Sequence, residues 1–119
     1  MADLVCSPRS GTVPFTTRMT VTLANRYNEQ VRRVASMIRV DLASGGTVAN
    51  WRSGYQNIAG GETAEVSWQL TFPAMPSVIG ENRFQLVAED VTPAPYNQPP
   101  YPPSGDTDKD TCLVRAIAP

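Results

Sequence analysis

The sequence predicts an all-β domain, an antiparallel β-sandwich of about seven strands. Three observations carry that expectation. Apolar and polar residues alternate with period two in several stretches. The cleanest runs from Glu62 to Phe72, where Ala64, Val66, Trp68, Leu70 and Phe72 interleave with Thr63, Glu65, Ser67, Gln69 and Thr71. Clusters of Gly, Pro and Asn punctuate the chain between these stretches. The two cysteines, Cys6 and Cys112, stand on strand-like segments near opposite ends. An even count in that placement suggests one disulfide, closing first strand onto last in an oxidising compartment.

Asp3 to Ser7 forms a short first strand, ended by Pro8 and the Ser10-Gly11 pair. Thr12 to Thr16 continues in extended form, with Pro14 confining it to an edge. Thr17 to Asn25 alternates, with Met19, Val21 and Leu23 facing one way and Arg18, Thr20 and Thr22 the other. Asn25 to Gln30 is a polar turn. Val31 to Leu42 fits two patterns: as a strand, Val34, Ile38, Val40 and Leu42 share a face with Ser36, and as a helix, Val31, Val34, Ala35, Ile38 and Leu42 share one. The flanking strands, and the lack of an N-cap followed by an acidic first turn, favour strand. Ala43 to Gly46 is a turn, Thr47 to Ser53 a short edge strand carrying Trp51, and Gly54 to Gly61 a loop. Pro73 stops the Glu62–Phe72 strand, and Pro76 keeps the next connection extended. Glu81 to Val91 is a strand with Phe84, Leu86 and Ala88 on one face, and Thr111 to Ile117 is its return. Between them lies a long tip, Thr92 to Lys109. The expected core stripe is Met19, Val21, Leu23, Ile38, Val40, Leu42, Val66, Trp68, Leu70, Phe84 and Leu86.

At 119 residues the chain is the size of one domain, residues 1–119. No apolar run approaches the ~18 residues of a membrane span, so no membrane insertion is expected. A net charge of −1 offers no basic footprint for nucleic acid. Met1-Ala2-Asp3 lacks the basic start and apolar segment of a secretory leader, so the chain reads as a mature or excised domain.

Four segments together resemble a known family: Met19 to Asn25, Ile38 to Gly46, Ile58 to Thr63 and Gly80 to Asp90. They are similar to bacterial immunoglobulin-like domains, closest to the fibronectin-III-like kind called the cell-adhesion-related domain of bacteria. The resemblance implies a seven-stranded immunoglobulin-like sandwich, usually extracellular and usually without catalysis. The long Pro/Tyr tip and the terminal cysteines depart from that pattern.

Catalysis has little to work with. Histidine is absent, which removes the commonest general base and the usual Ser and Cys triads. Gly45-Gly46 and Gly60-Gly61 lack the helix and Lys of a phosphate-cradling loop. The chain is therefore expected not to be an enzyme and to need no cofactor. Asp106, Asp108 and Asp110 alternate like the first half of a Ca²⁺ loop, but Thr111 stands where that loop needs Gly and Ile117 where it needs Glu. The tip holds six of the eleven prolines and should favour polyproline II, presenting Tyr96, Tyr101, Pro99 and Pro100 to a protein or glycan partner. With almost no aliphatic residues, the tip also reads as separable from folding; the alternative is a stiff loop folded back over the sandwich, its Tyr rings covering apolar surface. Trp51, beside Arg52 and Tyr55, is a second candidate contact, either an exposed sugar-stacking platform or a lid on the sandwich edge. The expected role is a binding or adhesion module of a bacterial secreted or envelope protein, periplasmic, cell-surface or secreted. The alternative is a structural spacer or accessory domain of a larger secreted protein or enzyme, with carbohydrate binding as one variant.

Overall fold

Period-two alternation obliges a chain to pair its strands and to cover one face of the resulting sheet. The structure, a computed structural model that describes residues 2–27 and 30–119, does this with nine strands. They are β1 (Ala2–Ser7), β2 (Ser10–Thr12), β3 (Phe15–Ala24), β4 (Arg32–Asp41), β5 (Thr47–Arg52), β6 (Gln56–Ile58), β7 (Thr63–Phe72), β8 (Gly80–Asp90) and β9 (Thr107–Ile117). One sheet has the order β1-β3-β7. The other has the order β2-β9-β8-β4-β5, with β6 also paired to β4. This is the strand order of an immunoglobulin-like sandwich, whose first two hairpin partners and fifth strand oppose the third, sixth and seventh.

The ambiguous Val31–Leu42 segment is a strand, the centre of the larger sheet, paired with β8 over eight positions from Val34↔Asp90 to Asp41↔Arg83. Two three-residue strands lie where the sequence suggested turn and loop. Ser10-Gly11 belongs to β2, which pairs in parallel with β9, and Gln56 to Ile58 pairs with the start of β4. Both are too short for their own periodicity to show. Gly11 in β2 has a packing reason: a Cβ there would stand 2.6 Å from the Phe15 ring. Pro76 to Val78 forms a single 3₁₀ turn instead of the extended connection expected.

Met19, Val21, Leu23, Ile38, Val40, Phe84 and Leu86 are fully buried between the sheets, as their phase predicts. Phe72 meets Phe84 edge-on across the sheets, with ring centroids 6.2 Å apart. Leu42, Val66, Trp68 and Leu70 are only half-buried. The last three lie on β7, where the smaller sheet stops and, among the described residues, no strand pairs with their outer side. The sequence shows which face points inward; it does not show that the strand is an edge.

The two sheets are closed along one seam by side chains. β1 lies beside β9 but pairs only with β3. Its free backbone is met by inward residues of β9. The Ala2 N–H donates to Asp108 Oδ2 at 2.8 Å and the Leu4 N–H to Asp110 Oδ2 at 2.8 Å. Cys6 is disulfide-bonded to Cys112, Cα atoms 6.3 Å apart. All three links join residues 106 apart in sequence, so they form one parallel ladder. After Pro8 the chain crosses over, and β2 takes up true backbone pairing with β9. The acidic stretch therefore belongs to a strand: β9 starts at Thr107, not Thr111, and the tip is correspondingly shorter.

Candidate functional site

Arg32 opens β4 and is 2% exposed. Its Nε donates to Asp90 Oδ2 at 2.7 Å, Nη1 to the Tyr96 carbonyl at 2.9 Å and Nη2 to the Pro103 carbonyl at 3.1 Å. One planar fork thus binds the end of β8 and both flanks of the tip, a geometry lysine does not supply. The other carboxylate oxygen, Asp90 Oδ1, accepts from the Thr92 N–H at 2.9 Å and the Thr92 hydroxyl at 2.5 Å. The cavity beside this pair, about 30 Å³, has room for little more than water. The Arg32–Asp90 pair is a structural anchor.

This anchor corrects two expectations about the tip. The tip is not an independent loop, because a buried guanidinium ties its backbone to the sandwich. Nor is it an extended polyproline helix. The Tyr96 N–H donates to the Pro93 carbonyl at 3.0 Å, Gln98 to Pro95 at 3.1 Å and Tyr101 to Gln98 at 2.8 Å. Those i to i+3 bonds make it a series of tight turns. Two of the turns, Pro93–Tyr96 and Gln98–Tyr101, each carry a cis proline in third place. Each ends in a tyrosine, and the two rings meet edge-on with centroids 5.2 Å apart.

The neighbouring loops are fixed around the tip. Asn25 is buried; its Nδ2 donates to the Gln30 carbonyl at 2.6 Å and the Ile58 carbonyl at 2.8 Å, and its Oδ1 accepts from the Tyr27 N–H at 3.0 Å. One side chain therefore holds the β3–β4 loop against β6. The Tyr27 ring lies 5.5 Å from the Arg32 guanidinium carbon, and the Tyr55 ring 4.3 Å from that of Arg33. Arg33 Nε also donates to Asn57 Oδ1 at 3.1 Å. All four tyrosines of the chain, Tyr27, Tyr55, Tyr96 and Tyr101, thus lie at one end of the sandwich. Between tip and loops runs an open groove of about 600 Å³, lined by Tyr96, Tyr101, Pro93, Val31, Arg33 and Asn57 among others. Tyr96 is 52% exposed there and Val31 58%.

Of the residues singled out from sequence, Tyr96 and Tyr101 come together on the groove. Pro99 and Pro100 are exposed on the tip but are not among its lining residues. Trp51 does not line it either. On β5, opposite Ile38, it packs half-buried against the core, which suits a lid on the sandwich edge and not an open contact platform. Asp108 and Asp110 are turned to the β1 seam, and the Asp106 carbonyl accepts from the Asp90 N–H. Among the described residues no three Cys, Asp or Glu converge as metal ligands. Sequence reading missed Arg32, Arg33, Asn57 and Tyr27. A signal existed for Arg32 and Asp90, since each falls in phase with an inward stripe.

The Ala2 N–H, more than any other group, holds the Asp108 carboxyl below its ordinary value of 3.8. The folded pKa is depressed, so this group's contribution is fully present above about pH 4 and is lost as pH falls through the folded value. Asp108→Asn is expected to be less stable than the parent at neutral pH. The gap should close as acid protonates Asp108, which urea titrations at a series of pH values will read. A gap that persists unchanged into acid would show that the carboxylate charge is not what holds the seam.

No family model matches the chain, and no curated protein matches it. Solved structures share its fold at low identity. The alkylpurine DNA glycosylase AlkC of Pseudomonas fluorescens, bound to DNA containing an abasic-site analog, aligns with 98% of this chain at TM-score 0.61 and 11% identity. This chain spans only 29% of that protein. The C-terminal domain of wzt aligns with 98% of this chain and 70% of its own length, at TM-score 0.60 and 12% identity. At such identities the likeness is one of fold.

Proposed function

We propose that this chain is a non-catalytic binding module of an extracytoplasmic protein, and that it binds through the tyrosine-bearing end of the sandwich. One observation carries the reading. Tyr96 and Tyr101 line a groove, Tyr55 stacks on its Arg33, and its walls are pinned by buried polar anchors. Tyrosine gives large contact area at low ordering cost, with an apolar face and a hydroxyl. Arg32, Asp90 and Asn25 spend their hydrogen bonds on shaping these loops, so the surface is organised before any ligand arrives. The Cys6–Cys112 disulfide supports an oxidising compartment. A glycan or a protein segment suits the groove, since Asn57, Gln30 and Arg33 supply polar partners beside the rings.

The test is a glycan array and a peptide array, both probed with the intact chain and with Tyr96→Ala/Tyr101→Ala. The double variant is expected to stay folded and to lose every signal the parent gives. Signals that survive the double variant, or a parent silent on both arrays, would overturn the reading and leave the spacer role.

A further inference from the structure

We propose that β7 is a dimerisation edge, pairing antiparallel with β7 of a second copy about a two-fold axis at Ser67. The first observation is what β7 lacks. Exposed strand edges are normally blunted by Pro, Lys, bulges, shortness or a cover. Every other free edge described here is treated so. The outer backbone of β1 is taken by Asp108 and Asp110. β2 and β6 have three residues each. β5 follows a bulged partner, with a register shift between Arg39 and Asp41. β7 runs for ten residues in unbroken register with β3 and contains no Pro, Lys or Arg.

The second observation is which backbone groups of β7 face outward. The Ala2 and Leu4 N–H groups point away from β3, to the aspartates. In an antiparallel ladder bonding residues alternate, so Asp3, Val5 and Ser7 bond β3 at Thr22, Thr20 and Arg18. Thr17, Met19, Val21 and Leu23 of β3 then bond the other way, to Leu70, Trp68, Val66 and Ala64 of β7. The free N–H and C=O groups of β7 are therefore those of Thr63, Glu65, Ser67, Gln69 and Thr71.

The third observation is that these five are self-complementary. With Ser67 opposite Ser67, Glu65 meets Gln69 and Thr63 meets Thr71, so no like charges face each other and all five outward residues pair. An axis on Glu65 would set two carboxylates face to face and use less of the strand. On the inner face the same register sets Trp68 opposite Val66 and Leu70 opposite Ala64, all half-buried in the single chain. Pairing covers the side of the core that the three-stranded sheet leaves open, giving a continuous sheet β1-β3-β7-β7-β3-β1. No groove-lining residue is on β7, so this proposal stands apart from the binding reading.

The experiment is sedimentation and light scattering of the intact chain from micromolar to millimolar concentration, with three variants. The parent is expected to pass from monomer to dimer. Ser67→Pro removes an outward N–H without breaking the β3 ladder and should remain monomeric. Ser67→Lys keeps that N–H but sets like charges across the axis, and should raise the dissociation constant about tenfold or more. Ser67→Cys should form an intermolecular disulfide under mild oxidation, because bonded antiparallel pairs hold their Cα atoms about 5.5 Å apart. Ser44→Cys, in an exposed turn, should not. A parent monomeric throughout overturns the proposal. So does a dimer that Ser67→Lys leaves intact and Ser67→Cys fails to cross-link.

Discussion

Arg32→Ala is expected to destabilise the protein by about 3–5 kcal/mol, the usual consequence of stripping one partner from a buried ion pair. Asp90, 8% exposed in the parent, would keep Thr92 as its donor but lose its cation. The Tyr96 and Pro103 carbonyls would lose their partner at the same time. The effect should be visible locally as well as globally. The amides of Tyr96, Gln98 and Tyr101, now in the turns of the tip, should exchange faster with solvent, while those of β3 paired to β7 change only as global stability changes. Arg32→Lys should recover part of the loss, because an ammonium restores the charge but does not span Asp90, Tyr96 and Pro103 together. Urea unfolding with hydrogen exchange measures both. A loss below about 1 kcal/mol for Arg32→Ala would mean that the tip holds its place without the fork.

Removal of the disulfide in Cys6→Ala/Cys112→Ala should cost a similar amount for a different reason. The link closes a loop of 106 residues, and the chain-entropy model assigns about 4–5 kcal/mol to a loop of that length. The loss acts chiefly on the unfolded chain, so the denaturant slope should increase as well, since the released chain exposes more surface. The seam retains the Asp108 and Asp110 bonds, and the sandwich should still form. A midpoint shift equivalent to less than about 1 kcal/mol, with an unchanged slope, would assign the seam's strength to the two aspartates instead.

Legibility differed between the strands and the loop end. Met19, Val21 and Leu23, or Phe84 and Leu86, declare their inward face because a side-chain period of two leaves one solution once a core exists. Trp68 follows the same period yet is half-buried. Burial depends on what lies beyond the strand, and no residue in β7 encodes its being last in the sheet. The anchoring of the tip is hidden from the sequence for a related reason. Its own residues contain almost nothing aliphatic, and what holds it is Arg32, sixty-four positions before Tyr96. Tyr96 and Tyr101 were recognisable as contact residues by type, whereas Arg33 of β4 and Asn57 of β6 join them on the groove only through tertiary packing.

By itself the sequence determined the all-β class, the inward stripes and the pairing of its two cysteines, because each is a matter of local period or of simple count. Tertiary structure alone decided how the strands divide between sheets and which edge stays open. It also decided the partners of the charged groups. Asp108 and Asp110, which alternate like cation ligands, bond the backbone of β1 instead. Arg32, in phase with the inward stripe of β4, is the buried clasp of the tip. The physical reason is the same in each case: a polar group's role is set by the donor or acceptor that folding brings within about 3 Å of it, and that partner lies far away along the chain.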